Sequence, residues 1–341
     1  MLKLFEASHL ALDGEKIMDK AIMFSTKNHK TIISNSDVST TKQLSTVLEL
    51  LLHWRLEWYN VTRHIHEYGK VGNINFSLLK LAKLHFNMVV EESWDSRKFK
   101  LFTGLNNQKL LICCASQFEP QYKHVRIWLA KVYKFIITID DVYDVYGSPQ
   151  ELELFTKAAL YDTTNEITFE IQKVKGGKSV LPHLRKVWKD FCTALLVEAK
   201  WYNQGYTPSL QEYLNNGWIS SGDSALSVHV LFGVAHEITE DVLDFLKNGE
   251  DLVYHISMII RLTNDQGTSV EHIRSIITKT WKNINDQSIP KSPSLVPFAK
   301  YITNIARVSH FIYHNGDGYG VQDCETRDQI VSLLIEPLAL D

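Results

Sequence analysis

The sequence predicts an all-α fold. Apolar residues recur at three- to four-residue steps through most of the chain, and no alternating strand pattern competes over any length. Chain breakers are scarce: 16 Gly and 8 Pro in 341 residues, against usual shares of about 7% and 5%. Hydrophobic residues at 45% and charged residues at 22% suit helices packed around an apolar centre and exclude wholesale disorder. The length allows one large domain or two modest ones. Lys plus Arg number 36 and Asp plus Glu 39, a formal charge of -3, which gives no support to a nucleic-acid-binding surface.

The elements follow in chain order. Asp13, Gly14 and Glu15 open a helix over 16–24, where Ile17, Ala21, Ile22 and Phe24 share a face. The polar stretch 34–42 reads as a loop. Residues 44–68 read as one long helix or a helix pair with Leu, Trp and Tyr on the apolar side. The two glycines in 69–75 mark a linker. Leu78, Leu79, Leu81, Ala82, Phe86 and Val89 make 76–90 amphipathic. Further helices are expected over 109–118, 120–146, 149–173, 179–203, 208–232, 238–247, 249–265, 270–284, 294–313 and 325–337. No stretch of about 18 apolar residues, the length that could cross a membrane, is present. The first residues lack the apolar core of a secretory signal and the acid-poor character of a transit peptide. Cys113, Cys114, Cys192 and Cys324 have no CxxC spacing and read as reduced thiols.

The strongest motif is Asp140-Asp141-Val142-Tyr143-Asp144, which follows the apolar run Ile136-Ile137-Thr138-Ile139. At about 100° per residue, Asp140 and Asp144 fall one turn apart on one helix face. Carboxylates stacked there repel one another unless a cation joins them. Mg²⁺ takes oxygen ligands and completes its shell with water and phosphate oxygens, so the chemistry points to a Mg²⁺–diphosphate site. A plain solvated helix end is the alternative.

A second constellation shifts that balance. Arg261, Asn264 and Thr268 follow an apolar helix. Asn264 and Thr268 are one turn apart and offer two hard oxygen donors. Arg261 carries the fork that grips a diphosphate by two hydrogen bonds.

Together these residues resemble the two metal motifs of class I terpene synthases. Other strings resemble the plant branch: Leu4-Phe5-Glu6-Ala7-Ser8-His9-Leu10, Phe118-Glu119-Pro120-Gln121, Glu151-Leu152-Glu153-Leu154-Phe155-Thr156, Glu198-Ala199-Lys200-Trp201 and Gly316-Asp317-Gly318. The wording around 140–148 leans towards monoterpene synthases. The resemblance implies the isoprenoid synthase helical bundle over 71–341, with 1–70 as the remnant of an N-terminal α-helical domain. It implies Asp140 and Asp144 as ligands of two Mg²⁺ (or Mn²⁺) ions, Asp141 in support, and Asn264, Thr268 and Glu271 around a third. Arg261 is implied as the diphosphate contact. Trp218, before the helix-breaking Ser220-Ser221-Gly222 stretch, is a candidate wall of the hydrocarbon pocket or a plain core aromatic. The segment 315–321, with Asp317 and Tyr319, is a lid over the substrate or a surface loop.

Four departures from the family pattern stand out. The third metal position, eight residues after Asn264, is His272, with Glu271 one residue early. Seven residues turn a helix by about 700°, only some 20° from Asn264, so Glu271 keeps the same face. The family's Arg-x-Arg pair is absent around Asn106, Asn107, Gln108 and Lys109. Ile112 replaces an aromatic residue. A segment is missing between Lys157 and Ala158, and another is shortened after Ser269. The expected activity is ionisation of a prenyl diphosphate, with geranyl diphosphate ahead of farnesyl diphosphate, giving a terpene and pyrophosphate. The alternative is an impaired remnant acting as a non-enzymatic helical protein. The remaining expectations are a monomer with no nucleic-acid partner and no membrane span. A plastid location is expected if the full-length gene product carries a transit peptide, and a cytoplasmic one otherwise.

Overall fold

A computed structural model describes residues 2–33, 51–55, 57–70, 72–93, 122–158, 162–175, 177–248, 250–264, 270–287, 295–313 and 338–340. Among these residues there are helices, turns and bends and no strand. The helices are α1 (Leu2–Ser8), α2 (Lys16–Ile33), α3 (Glu57–Tyr68), α4 (Phe76–Ser93), α5 (Lys123–Asp141), α6 (Pro149–Ala158), α7 (Asp162–Lys175) and α8 (Leu181–Gln204). They continue with α9 (Leu210–Ser220), α10 (Asp223–Val234), α11 (Glu240–Asn248), α12 (Glu250–Asn264), α13 (Val270–Gln287) and α14 (Val296–Tyr313). None is long and apolar enough to cross a membrane among the described residues.

Most expected helices are present, with four differences. The first expected helix runs on to Ile33. The segment 44–68 shows a short 3₁₀ turn, Leu52–Trp54, before α3. The single helix expected over 149–173 is two, α6 and α7. That expected over 208–232 is also two, because Gly222 takes a φ of 75° between α9 and α10. Such a conformation suits glycine, and a Cβ there would lie 2.7 Å from Ile136 Cγ2. The helices expected over 109–118 and 325–337 lie outside the described residues.

Local chemistry sets several boundaries. Ser209 and Glu212 form a reciprocal capping box at the start of α9, and Gly205 closes α8 in the left-handed conformation. Every residue of α10 except Ser224 is buried. A helix apolar on all sides belongs in the middle of a bundle, and α10 touches α5, α8, α9, α12 and α14. Phe232 from α10, Trp188 and Phe191 from α8, and Tyr301 from α14 are fully buried in this centre. Each large apolar side chain so buried stabilises the fold by roughly 1.5–3 kcal/mol.

The N-terminal residues dock on α13 and α14. Trp54 stacks on Trp281 at 5.6 Å between ring centres, and His310 packs against both. Asn285 donates to the carbonyls of His9 and Ala11, and Arg307 donates to that of His53 at 2.8 Å. Near the other terminus, Leu338 and Asn87 of α4 exchange two hydrogen bonds.

Candidate active site

The C-terminal ends of α5 and α12 flank a cavity of about 620 Å³. Asp140 and Asp141 of α5 line it together with Arg261 and Asn264 of α12. Both oxygen-rich motifs therefore face one space. The rest of the lining mixes apolar and aromatic side chains, among them Ile136, Leu226, Ile260, Ile305 and Tyr313, with Ser220, Ser221, Asp223 and Ser309.

Asp144 is carried on a different kind of turn from the one expected. Beyond Asp141 the chain does not continue as α-helix but widens into a π-helical turn over Val142–Tyr146. The Gly147 N–H donates to the Val142 carbonyl, five residues back, at 2.9 Å. A wider turn advances each residue by less than 100°, so over four residues Asp144 comes round close to the Asp140 face, and its charge bears on Asp140. It is exposed and lies outside the cavity lining. Two contacts hold the turn. Buried Tyr143 shares a 2.6 Å hydrogen bond with Thr156 of α6. A Cβ on Gly147 would meet Leu152 Cδ2 at 2.2 Å, so only glycine lets α6 pack so closely.

Arg261 is held by a network that the sequence motifs did not reveal. Its Nε donates to the Tyr213 hydroxyl at 2.6 Å, and its guanidinium lies 5.0 Å from the centre of that ring. Its Nη2 reaches Glu198 Oε2 at 3.4 Å. Glu198 Oε1 in turn accepts from Ser220 Oγ at 2.6 Å and Asn216 Nδ2 at 3.1 Å. Gly217 leaves room for the arginine stem, whose Cγ would lie 3.2 Å from an added Cβ. Glu198 and Ser220 appear in strings that the sequence singles out, but their partner, 63 residues from Glu198, comes close only through the packing of α8, α9 and α12.

The carboxylates at the mouth repel one another. Burial, followed by the Asp144 charge, pushes Asp140 up to about 7; Glu198 and Asp141 act in the same direction, and Arg261 pulls the other way. Asp144 is also raised, by burial and then by Glu198, with Arg261 opposing. Several acidic groups and one arginine make an oxygen-donor lip short of positive charge. A hard divalent cation fits that deficit. Among the described residues no three acidic, His or Cys side chains already converge as a closed metal cage. The donor set is instead that of an open site whose remaining positions fall to water or phosphate oxygens.

The other expected site residues divide. Trp218 does not line this cavity. It lines a second, mostly apolar space of about 280 Å³ with Phe245, Val253 and Phe298, and its ring packs edge-on to Tyr254. Glu271 lies in the first turn of α13. Thr268, Asp317 and Tyr319 lie outside the described residues. One cavity residue passed unnoticed in the sequence: Asp223, whose only local mark is its place beside a helix-breaking Ser-Ser-Gly.

Residues 107–159 and 158–282 match the metal-binding domain of the terpene synthase family. The two matched pieces meet at the point where the sequence is short of a segment. An α-farnesene synthase of Ricinus communis is 39% identical over 406 aligned positions, which span 100% of this chain and 72% of that protein. More positions than this chain has residues means that the relative carries internal segments absent here. A chloroplastic geraniol synthase of Cinnamomum tenuipile is 33% identical over 100% of this chain and 67% of its own length. The crystal structure of isoprene synthase from grey poplar leaves, in complex with three Mg²⁺ ions and dimethylallyl-S-thiolodiphosphate, superposes with a TM-score of 0.87 at 32% identity. It covers 99% of this chain and 76% of that one. The fold, the two oxygen-rich helix ends and these likenesses agree, and the chain belongs to the terpene synthase family.

Proposed function

We propose that this chain is a metal-dependent terpene synthase that ionises a prenyl diphosphate, geranyl diphosphate first, and releases a terpene and pyrophosphate. The supporting observation is that Asp140, Asp141, Arg261 and Asn264 line one cavity together with apolar side chains such as Ile136, Leu226, Ile260 and Ile305. Asp140, Asp141 and Asp144 would hold two divalent ions at the α5 lip. Asn264, with Thr268 and Glu271, would hold a third. Bound there, Mg²⁺ or Mn²⁺ supplies Lewis-acid stabilisation of the leaving pyrophosphate.

The chain's own groups complete the chemistry. Arg261, pre-oriented by Tyr213 and Glu198, donates hydrogen bonds to the anion as its charge grows. Ile136, Leu226, Ile260 and Ile305 keep water from the allylic cation. Asp317 and Tyr319 belong to the segment that would close over the mouth. Trp218, on the second cavity, supports the packing of α9 rather than touching substrate. Residues 1–70 are read as the tail of an N-terminal helical domain and 71–341 as the catalytic domain. The protein is read as a monomer, located in the plastid if the full-length gene product carries a transit peptide, as the chloroplastic relative suggests, and in the cytoplasm otherwise.

The test is direct. Purified protein with Mg²⁺ and geranyl or farnesyl diphosphate should release pyrophosphate and a volatile terpene. Asp140→Ala should reduce that release at least a hundredfold. Absence of product with both substrates would instead support the non-enzymatic remnant, whose motive is the absent Arg-x-Arg pair and the displaced Glu271. Turnover of farnesyl diphosphate alone would transfer the assignment to the longer substrate.

A further inference from the structure

One acidic side chain of the cavity belongs to neither metal motif. Asp223 is the first residue of α10, directly after the Gly222 bend. It is 2% exposed and lines the same cavity as Asp140 and Arg261. Its Oδ2 accepts two long hydrogen bonds, from Ser227 Oγ at 3.3 Å and Ser257 Oγ at 3.2 Å. Its Oδ1 has no hydrogen-bond partner among the described residues. A buried carboxylate oxygen without a donor is costly, and such groups concentrate at functional sites. Burial pushes this carboxyl up to about 7, with the two serine hydroxyls opposing.

Its depth follows from two independent neighbours. Gly222 abuts Ile136, which precedes Asp140 by one turn of α5. Ser257 precedes Arg261 by one turn of α12. A turn is about 5.4 Å, so both helices set Asp223 one turn beneath the level that grips the diphosphate. The cavity residues Ile136, Leu226 and Ile260 around that depth are apolar. In such surroundings a carboxylate acts strongly on a nearby cation.

We propose that Asp223 is the catalytic base of this enzyme, facing the hydrocarbon cation and taking the proton that ends the reaction. The proposal rests on the function given above. The C–H bond beside the cationic carbon breaks, and its electron pair becomes the new C=C bond. The cation is thereby discharged. The proton passes to the Asp223 carboxylate, leaving it as a neutral acid. Once the product leaves, the proton returns to water through the open mouth.

Asp223→Asn keeps the shape and removes the charge. The first arm measures pyrophosphate and products from geranyl and farnesyl diphosphate with Mg²⁺. The variant should still release pyrophosphate, while its ratio of alkene to water-captured alcohol falls at least tenfold. The second arm needs no turnover. It measures binding of protonated N,N-dimethylgeranylamine, a stable stand-in for the cation, with Mg²⁺ and inorganic pyrophosphate present. Affinity should fall at least tenfold in Asp223→Asn and again in Asp223→Ser, with the helical circular dichroism of both retained. An unchanged product ratio, a wild-type enzyme that makes only alcohols, or equal amine affinity in wild type and variants would overturn the role. Wild-type protein that released no pyrophosphate would sink the functional assignment, and the amine arm would still decide for or against Asp223.

Discussion

Arg261 and Asp223 are the side chains whose environments say most about the site, and both lead to measurable expectations. Arg261 is paired with Glu198 and Tyr213, so its removal takes away an anion donor and leaves Glu198 less compensated. Arg261→Ala should slow pyrophosphate release by about a hundredfold or more, the usual loss for one such donor, and lower stability by roughly 1–3 kcal/mol. Steady-state kinetics and urea unfolding check the two effects separately. For Asp223 the sign follows from linkage. Its carboxyl binds a proton more tightly in the folded protein, up to about 7 against an ordinary 3.8, so its neutral buried form is tolerated in acid and penalised as it ionises. Its contribution therefore declines as pH rises from about 4 to about 7, by about 1.4 kcal/mol at most for each pH unit. Urea unfolding of Asp223→Asn beside wild type should show the variant gaining relative stability from about pH 5 to about pH 7.5. A gap that stays constant would contradict this. Asp140, Asn264 and Arg261 were legible because their chemistry is written in short local spacings. Glu198 as an arginine partner and Asp223 as a cavity wall were not, because their meaning depends on residues brought from other helices.

The π-helical turn and the α9–α10 bend are the two elements that shape the mouth and depth of the cavity. Gly147→Ala forces a methyl group against Leu152, so α6 must shift and the turn that carries Asp144 must move with it. Activity should fall, with the Mg²⁺ concentration for half-maximal rate rising at least severalfold, as a titration of rate against Mg²⁺ would record. Gly222→Ala meets both a left-handed φ and Ile136 Cγ2, and thermal unfolding should register a loss of about 1–3 kcal/mol. The helix-breaking Ser220-Ser221-Gly222 stretch was visible in sequence, yet its consequence, two helices in place of one, needed the left-handed glycine to be seen. The π turn was not legible at all: the spacing of Asp140 and Asp144 reads as an ordinary helical face, and the widening comes from the packing of α6 through Tyr143, Thr156 and Leu152.

At the scale of the whole molecule, the helical class followed from periodicity and from the scarcity of chain breakers. The arrangement of helices did not, because α10 is apolar on every side and its periodicity cannot tell which neighbours it meets. The same holds for the N-terminal residues, whose docking on α13 and α14 through Trp54, Trp281 and His310 joins segments more than 200 positions apart. Every functional role assigned above requires the lips of α5 and α12 to act together on a metal-bound diphosphate. Calorimetric titration of inorganic pyrophosphate into the protein tests this without any turnover. Binding should require Mg²⁺ and should weaken at least tenfold in both Asp140→Asn, on α5, and Arg261→Ala, on α12. Pyrophosphate binding of equal strength with and without Mg²⁺, or unaltered by either substitution, would contradict it.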